Sequence, residues 1–312
     1  VKTALHALLV LAQLLGAGVL AVQVARSQAP QGPITPLPSP QGGDARRIAL
    51  GRDLFFDRRL SRSTRLSCAS CHDLATNGAS GARVDRGDAG RLMRFNTPTV
   101  YNSGLNYRMG WQGRARTLHQ AALGTLRDAN SMGGAGIGAR RLAADRAMVA
   151  RFASAYHAPP SDEAIADALA LFMGTLVTPD APFDRFLRGD PAALTSQQKR
   201  GASRFVTLGC ASCHQGANVG GNLRQRRGIF HPLGEVNPTH LRVPSLRNVA
   251  VTGPYFHDGS AATLPVAIRR MARAQLDLKI DDRDVQDISA FLGTLTGTYQ
   301  GRPLPPASSV ER

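Results

Sequence analysis

Cys68-Ala69-Ser70-Cys71-His72 and Cys210-Ala211-Ser212-Cys213-His214 are the stretches on which the reading of this chain turns. They are one pentapeptide used twice, and they consume all four cysteines of the 312 residues. C-x-x-C-H is the attachment pattern of c-type haem. Two thiols on one turn reach the two vinyl groups of a porphyrin, and the adjoining imidazole then lies under the iron as an axial ligand. A structural zinc site would bring its C-x-x-C pairs close in sequence, and these lie far apart. A thioredoxin-like redox pair needs a βαβ context that the flanks do not offer. Disulfides would leave the His after each pair unexplained. Cys68, Cys71 and His72, then Cys210, Cys213 and His214, are therefore assigned to two covalent haems.

Outward from these motifs the chain repeats itself. Gly51-Arg52-Asp53-Leu54-Phe55 precedes the first and Gly201-Ala202-Ser203-Arg204-Phe205 the second. Beyond them come Thr97-Pro98-Thr99-Val100-Tyr101-Asn102 and Val243-Pro244-Ser245-Leu246-Arg247-Asn248. Gly113 and Leu118 follow Pro98 at the spacing with which Gly259 and Leu264 follow Pro244. The repeat breaks at one place that matters. Met271 stands as far past Leu264 as Thr125 does past Leu118. A thioether can close the sixth position of a haem iron, whereas threonine is a poor ligand. A core methionine is the plain alternative for Met271.

Apolar spacing near 3.6 residues predicts helices over 45–56, 162–177, 196–206 and 282–295, with an amphipathic stretch over 263–274. Ser161 and Asp281 are helix starts. Gly-, Pro- and Arg-rich loops are expected around 78–96, 130–140 and 216–243, and sustained strand alternation is absent. The expected class is all-α with long loops: two cytochrome c-like domains, each carrying one covalent c-type haem. Residues 1–29 read as a signal peptide or N-terminal anchor, a basic start followed by an apolar run near bilayer-spanning length. Residues 30–44 read as a Pro-rich spacer, 45–185 and 186–300 as the N- and C-terminal haem domains, and 301–312 as a frayed tail. Export to the periplasm agrees with covalent haem, which is attached outside the cytoplasm. Hydrophobic residues at 43% and charged residues at 19% exclude wholesale disorder. The net charge of +16 points to an acidic donor protein or an anionic membrane rather than nucleic acid, given export and bound haem.

With these residues in view, the sequence resembles the bacterial di-haem cytochrome c peroxidase family, which includes the MauG-type enzymes. The resemblance runs from about Ile48 to Gly297. It is carried most specifically by Leu50-Gly51-Arg52-Asp53-Leu54-Phe55-Phe56-Asp57, Val243-Pro244-Ser245-Leu246-Arg247-Asn248-Val249 and Pro254-Tyr255-Phe256-His257-Asp258-Gly259-Ser260. It implies an electron-transfer haem on His214 and Met271 and a peroxide site at the haem on His72. Trp111, the sole tryptophan, is implied to lie between the haems. A calcium ion between the domains is implied at Asn96, Thr252 and Pro254, through carbonyls and waters. A small cytochrome c or copper protein would donate electrons to hydrogen peroxide, and a homodimer is the family expectation.

The chain departs from that pattern twice. A His that often caps the N-terminal haem is missing: none occurs between His72 and His119, and Asp88 stands at about its place. That haem is expected to be five-coordinate or water-bound, unless Met93 or another loop residue caps it. The family's distal glutamate position holds Ser131, before Met132, in a chain whose only glutamates are Glu163, Glu235 and Glu311. A serine hydroxyl can polarise peroxide but cannot act as the base, so Asp128 is the nearest substitute, with His119 and nearby arginines behind it. The expected function is a di-haem peroxidase. The alternatives are a MauG-like oxidant of a protein partner, although MauG itself has a tyrosine ligand at the place of Met271, or an electron carrier or sensor with a decayed peroxide site.

Overall fold

A computed structural model describes residues 32–40, 42–233 and 238–306. The expected leader, 1–29, lies outside the described residues. Among those residues there are nine α-helices: α1 (Ala45–Phe55), α2 (Leu118–Arg127), α3 (Ile137–Ala143), α4 (Arg146–Tyr156), α5 (Asp162–Gly174), α6 (Pro182–Leu187), α7 (Ser196–Thr207), α8 (Leu264–Leu276) and α9 (Asp282–Gly293). Sheet is confined to two antiparallel ribbons, β1 (Arg224–Arg226) with β2 (His240–Arg242), and β3 (Thr298–Tyr299) with β4 (Arg302–Pro303). The chain is thus mostly helical with little sheet, and no described helix is long and apolar enough to cross a membrane.

Two helix pairs carry the repeat. In the first, Asp44 caps α1 by accepting from the Arg46 and Arg47 amides, and Ser161 caps α5 by accepting from Ala164. The two helices meet at Gly51, where a Cβ would lie 1.9 Å from the Ala168 carbonyl oxygen. Only a hydrogen lets the backbones approach so closely. In the second, α7 carries a Thr195–Gln198 capping box and α9 is capped by Asp281. Their contact point is Gly201, whose Cβ would lie 1.9 Å from the Asp287 carbonyl oxygen. Beside each glycine an aromatic pair closes the contact: Phe55 and Phe172 at 5.5 Å, Phe205 and Phe291 at 5.2 Å. Arg200 and Arg204 brace the second pair through Asp287 and Asp284 at 3.0 and 2.6 Å. Each pair seeds a hydrophobic cluster, one around Leu50, Leu54, Phe152 and Leu169, the other around Phe183, Phe205, Val219 and Phe291.

Several expectations need correcting. The predicted 130–140 loop contains the start of α3, and the 216–243 loop contains the β1–β2 ribbon. Short helices such as α3 and α6 span too few turns to show a period. The expected boundary at 185 falls inside α6, whose Phe183 packs with the second cluster. The start of the supposed tail is ordered by pairing: β4 joins β3, and Leu304 is buried in the first cluster. The spacer does not stand away from the protein, because Ile34 and Leu37 are buried against the second half. Proline fixed its extended backbone but not whether that backbone would find a groove.

Candidate functional site

Each cysteine motif forms a short 3-10 turn, Cys68–Ser70 and Cys210–Ser212. Gly209 enters the second turn at φ 92, the left-handed region. The His amide closes each turn on the first cysteine: His72 N to Cys68 O at 2.9 Å, His214 N to Cys210 O at 3.1 Å. All four thiols are free of disulfide, and burial pushes Cys68 up to about 12 and Cys210 to about 11. The His72 imidazole is held from behind, its Nδ1 3.2 Å from the Gly78 carbonyl oxygen. His214 has the carbonyls of Val219 and Pro244 near its ring but no hydrogen bond at Nδ1 among the described residues. Burial lowers both imidazole pKa values, that of His214 to about 4, so each ring is neutral and has a nitrogen lone pair with which to ligate.

The second motif opens onto a cavity. Cys210, Cys213, His214 and Met271 line it together, and Met271 is supplied by α8. Apolar side chains from α7, α8 and α9, among them Phe205, Ile268, Ala272 and Leu292, make the walls. Arg242 also lines it, 5% exposed, with no carboxylate partner among the described residues. Its guanidinium reaches only neutral acceptors, Gly110 O at 3.1 Å, Asn106 Oδ1 at 3.3 Å and Val243 O at 3.4 Å. Desolvation lowers it to about 10. A buried cation without a counter-ion calls for an anion. A c-type haem supplies one in its propionates, together with an iron for imidazole and thioether and vinyl carbons for two thiols. The residues present fit that group.

Trp111 and the three residues named for calcium line the same cavity. The indole N–H donates to Asn96 O at 2.8 Å, and Asn96 Nδ2 donates to the Ala82 and Arg83 carbonyls at 3.1 and 3.2 Å. Asn96, Thr252 and Pro254 are therefore gathered in one place. No cluster of three or more His, Cys, Asp or Glu that could hold a metal occurs among the described residues, so any cation there would rest on neutral oxygens. His257 was not anticipated. It holds the place in the second repeat that Trp111 holds in the first, two residues before the matched turn glycine. The two rings meet edge-on at 6.3 Å, and Arg227 lies 2.8 Å from His257 Nε2. Arg242 and Arg247 were missed as well, because nothing in the sequence separates a buried arginine from the many exposed ones.

In the first half, Thr125 lies on α2 with its hydroxyl turned back to Ala121 O at 3.0 Å, so it presents no ligand. Asp88 is buried, and its carboxylate accepts from the Ser63 amide at 3.0 Å and from the Ser63 hydroxyl. Its amide donates to Ser131 O at 3.0 Å. Asp128 caps the end of α2 and spends Oδ1 on the Asn130 and Ser131 amides at 2.7 and 3.2 Å. Met93 donates its amide to Asp85 O at 2.7 Å within the 85–93 loop. The structure thus ties Ser131, Asp128 and Asp88 into one hydrogen-bonded loop.

Comparison with known proteins gives one consistent answer. The pattern of the di-haem cytochrome c peroxidase family matches residues 45–192. Cytochrome c peroxidase Ccp of Escherichia coli (strain K12) is 38% identical over 286 residues, which is 86% of this chain and 62% of that protein. Cytochrome c551 peroxidase of Nitrosomonas europaea is 37% identical over 88% of this chain and 86% of its own. Among solved structures, a MauG-like protein associated with microbial copper homeostasis superposes with a TM-score of 0.74 at 26% identity, over 84% of this chain and 93% of that one.

Proposed function

This chain belongs to the di-haem cytochrome c peroxidase family, and from that premise we propose that it reduces hydrogen peroxide to water with electrons from a small cytochrome c or copper protein. It would do so as an exported, periplasmic protein with two cytochrome c-like domains and two covalent haems. The convergence of Cys210, Cys213, His214, Met271 and the unpaired Arg242 on one apolar cavity carries the reading. The haems, when bound, supply one-electron redox chemistry and, at one iron, an open coordination position.

The protein's own part follows from its side chains. Neutral His72 and His214 would each offer a ring nitrogen, and at His72 the Gly78 carbonyl at Nδ1 would strengthen the ligand. Met271 would close the second site and raise its potential, making it the point of electron entry. Arg242 would neutralise a propionate, and its amide bond to Trp111 O at 2.8 Å ties that anchor to the tryptophan. Trp111 would lie on the route to the His72 site. Thr125 and Asp88 are both engaged with protein groups, so neither would cap that iron. Peroxide cleavage needs a proton moved from the proximal to the distal oxygen, and Ser131 and Asp128 on the matching loop are the groups that would assist it. Calcium at Asn96, Thr252 and Pro254 would brace the loops on either side of Trp111.

EPR of the ferric protein as isolated tests this. A high-spin haem beside a low-spin His/Met haem is expected, and two low-spin haems would remove the open site. Rapid mixing of the reduced protein with peroxide should give an oxidised or ferryl spectrum, and its absence would sink the peroxidase reading. A MauG-like oxidation of a protein partner is the second reading. The engaged Asp88, in place of a capping histidine, is the observation in its favour.

A further inference from the structure

The described part of the Pro-rich segment is built into the second half. Ile34 is 4% exposed and belongs to the cluster of Phe205, Ala211 and Val219, and Leu37 is buried as well. Three backbone groups of the segment are hydrogen-bonded to that half. Pro33 O accepts from Gly216 N at 2.7 Å, Thr35 O accepts from Arg247 Nη2 at 3.0 Å, and Leu37 N donates to Asp184 Oδ1 at 3.4 Å. Gly216 and Ala217 begin the loop that leaves His214, and Val219, whose carbonyl faces the His214 ring, ends it.

The repeat shows what this arrangement replaces. In the first half Tyr101 holds the loop after His72, its hydroxyl donating to Leu74 O at 2.8 Å. The matching position in the second half is Arg247, whose Nε donates to Ala217 O at 2.8 Å. A phenol does this work without a charge; a guanidinium in the same buried place needs a counter-ion and acceptors for its remaining N–H groups. Asp184 supplies the first, at 2.8 Å with both side chains 0% exposed, and Thr35 O supplies one of the second. The segment is thus the missing wall of the second copy.

We propose that residues 33–37 are a strap that positions the His214 loop, and through it the axial imidazole of the electron-entry haem. Ile34 is the positioning residue, acting through Gly216, Arg247 and the Val219 carbonyl. The proposal rests on the haem reading above. At Gly220 a Cβ would lie 3.3 Å from His214 Nδ1. Releasing the strap lets the loop backbone from Gly216 to Gly220 draw away from the ring and take the Val219 carbonyl dipole with it. That weakens the imidazole as a donor and favours the reduced iron.

Ile34→Asp in the full-length haem-loaded protein tests it. Amide exchange at Gly216 should quicken by at least about tenfold, as loss of one buried aliphatic contact implies. The midpoint potential of the His214 haem should rise while that of the His72 haem stays, and Ile34→Val should restore both readouts. Unchanged Gly216 exchange and an unchanged potential in a folded variant would overturn the strap. If Ile34→Asp does not fold, Arg247→Lys decides. It keeps the charge but cannot reach Ala217 and Thr35 together, so the same two shifts must appear or the proposal fails. A parent protein lacking a low-spin His/Met haem would instead sink the functional reading, whatever the strap does.

Discussion

Ser131 carries a hydroxyl where the proposed peroxide chemistry calls for a group that can take and return a proton. Its amide and carbonyl are fixed by Asp128 and Asp88, so the loop holds its side chain at a defined place even without the acid. Ser131→Glu should therefore raise peroxide turnover, by about 10²–10⁴-fold if general acid–base help is the missing part. Steady-state rates with a reduced cytochrome c measure this. A large gain marks a decayed site; no gain means the distal chemistry runs another way. At the other haem, Met271→Ala should turn the low-spin EPR signal high-spin and lower the midpoint potential, since thioether ligation raises it. A core methionine would leave both unchanged. The two turns that hold His72 and His214 were legible from five letters apiece. Arg242 was not, because its meaning lies in lacking an anion, which only the folded surroundings reveal.

At the scale of elements, α1 with α5 and α7 with α9 are two uses of one packing solution. Each depends on a glycine at the crossing. Gly201→Ala would drive a methyl to 1.9 Å from the Asp287 carbonyl oxygen and to 2.9 Å from Phe291 Cβ. Backbone cannot yield as a side-chain tip can, so the helices must part, at a cost of about 1–3 kcal/mol or more. Thermal unfolding should show a clear fall in Tm, and Gly51→Ala should do the same for the first pair. The four helices of these pairs were readable because each buries one stripe against a partner, which writes a period into the sequence; α2 and α4 were not read. The β1–β2 ribbon was not, since its residues are mainly arginine and polar and its pairing partner is remote.

Across the whole molecule, charge governs encounter. The net +16 predicts that turnover with an acidic donor falls as salt rises, seen as a rising KM with little change in kcat. A KM indifferent to ionic strength would show that the arginines serve only internal anions. The same charges set the acid limit of the fold. Hydrogen bonds from His231, Arg204 and Arg200 hold Asp277, Asp284 and Asp287 below the usual carboxylate range. A lowered folded pKa stabilises fully above the unfolded value, about 4, and that stabilisation is lost as pH falls through the folded values. Urea midpoints should therefore hold steady from neutrality down to about pH 5 and drop below about pH 4.

By itself the sequence determined what is local: two C-x-x-C-H turns, a repeated unit around each, and the helices of the two packed pairs. These follow from residue type and spacing, which act over a few bonds or one helix face. Only the tertiary structure decided that Met271 shares a cavity with His214, that Trp111 meets His257 across the repeat, and that a Pro-rich segment becomes a wall. Each of those depends on which distant groups are brought together and cut off from water. Burial is the physical variable that would let a methionine serve as ligand rather than filler and an arginine as anion anchor, and it sets a Pro-rich segment against the second half.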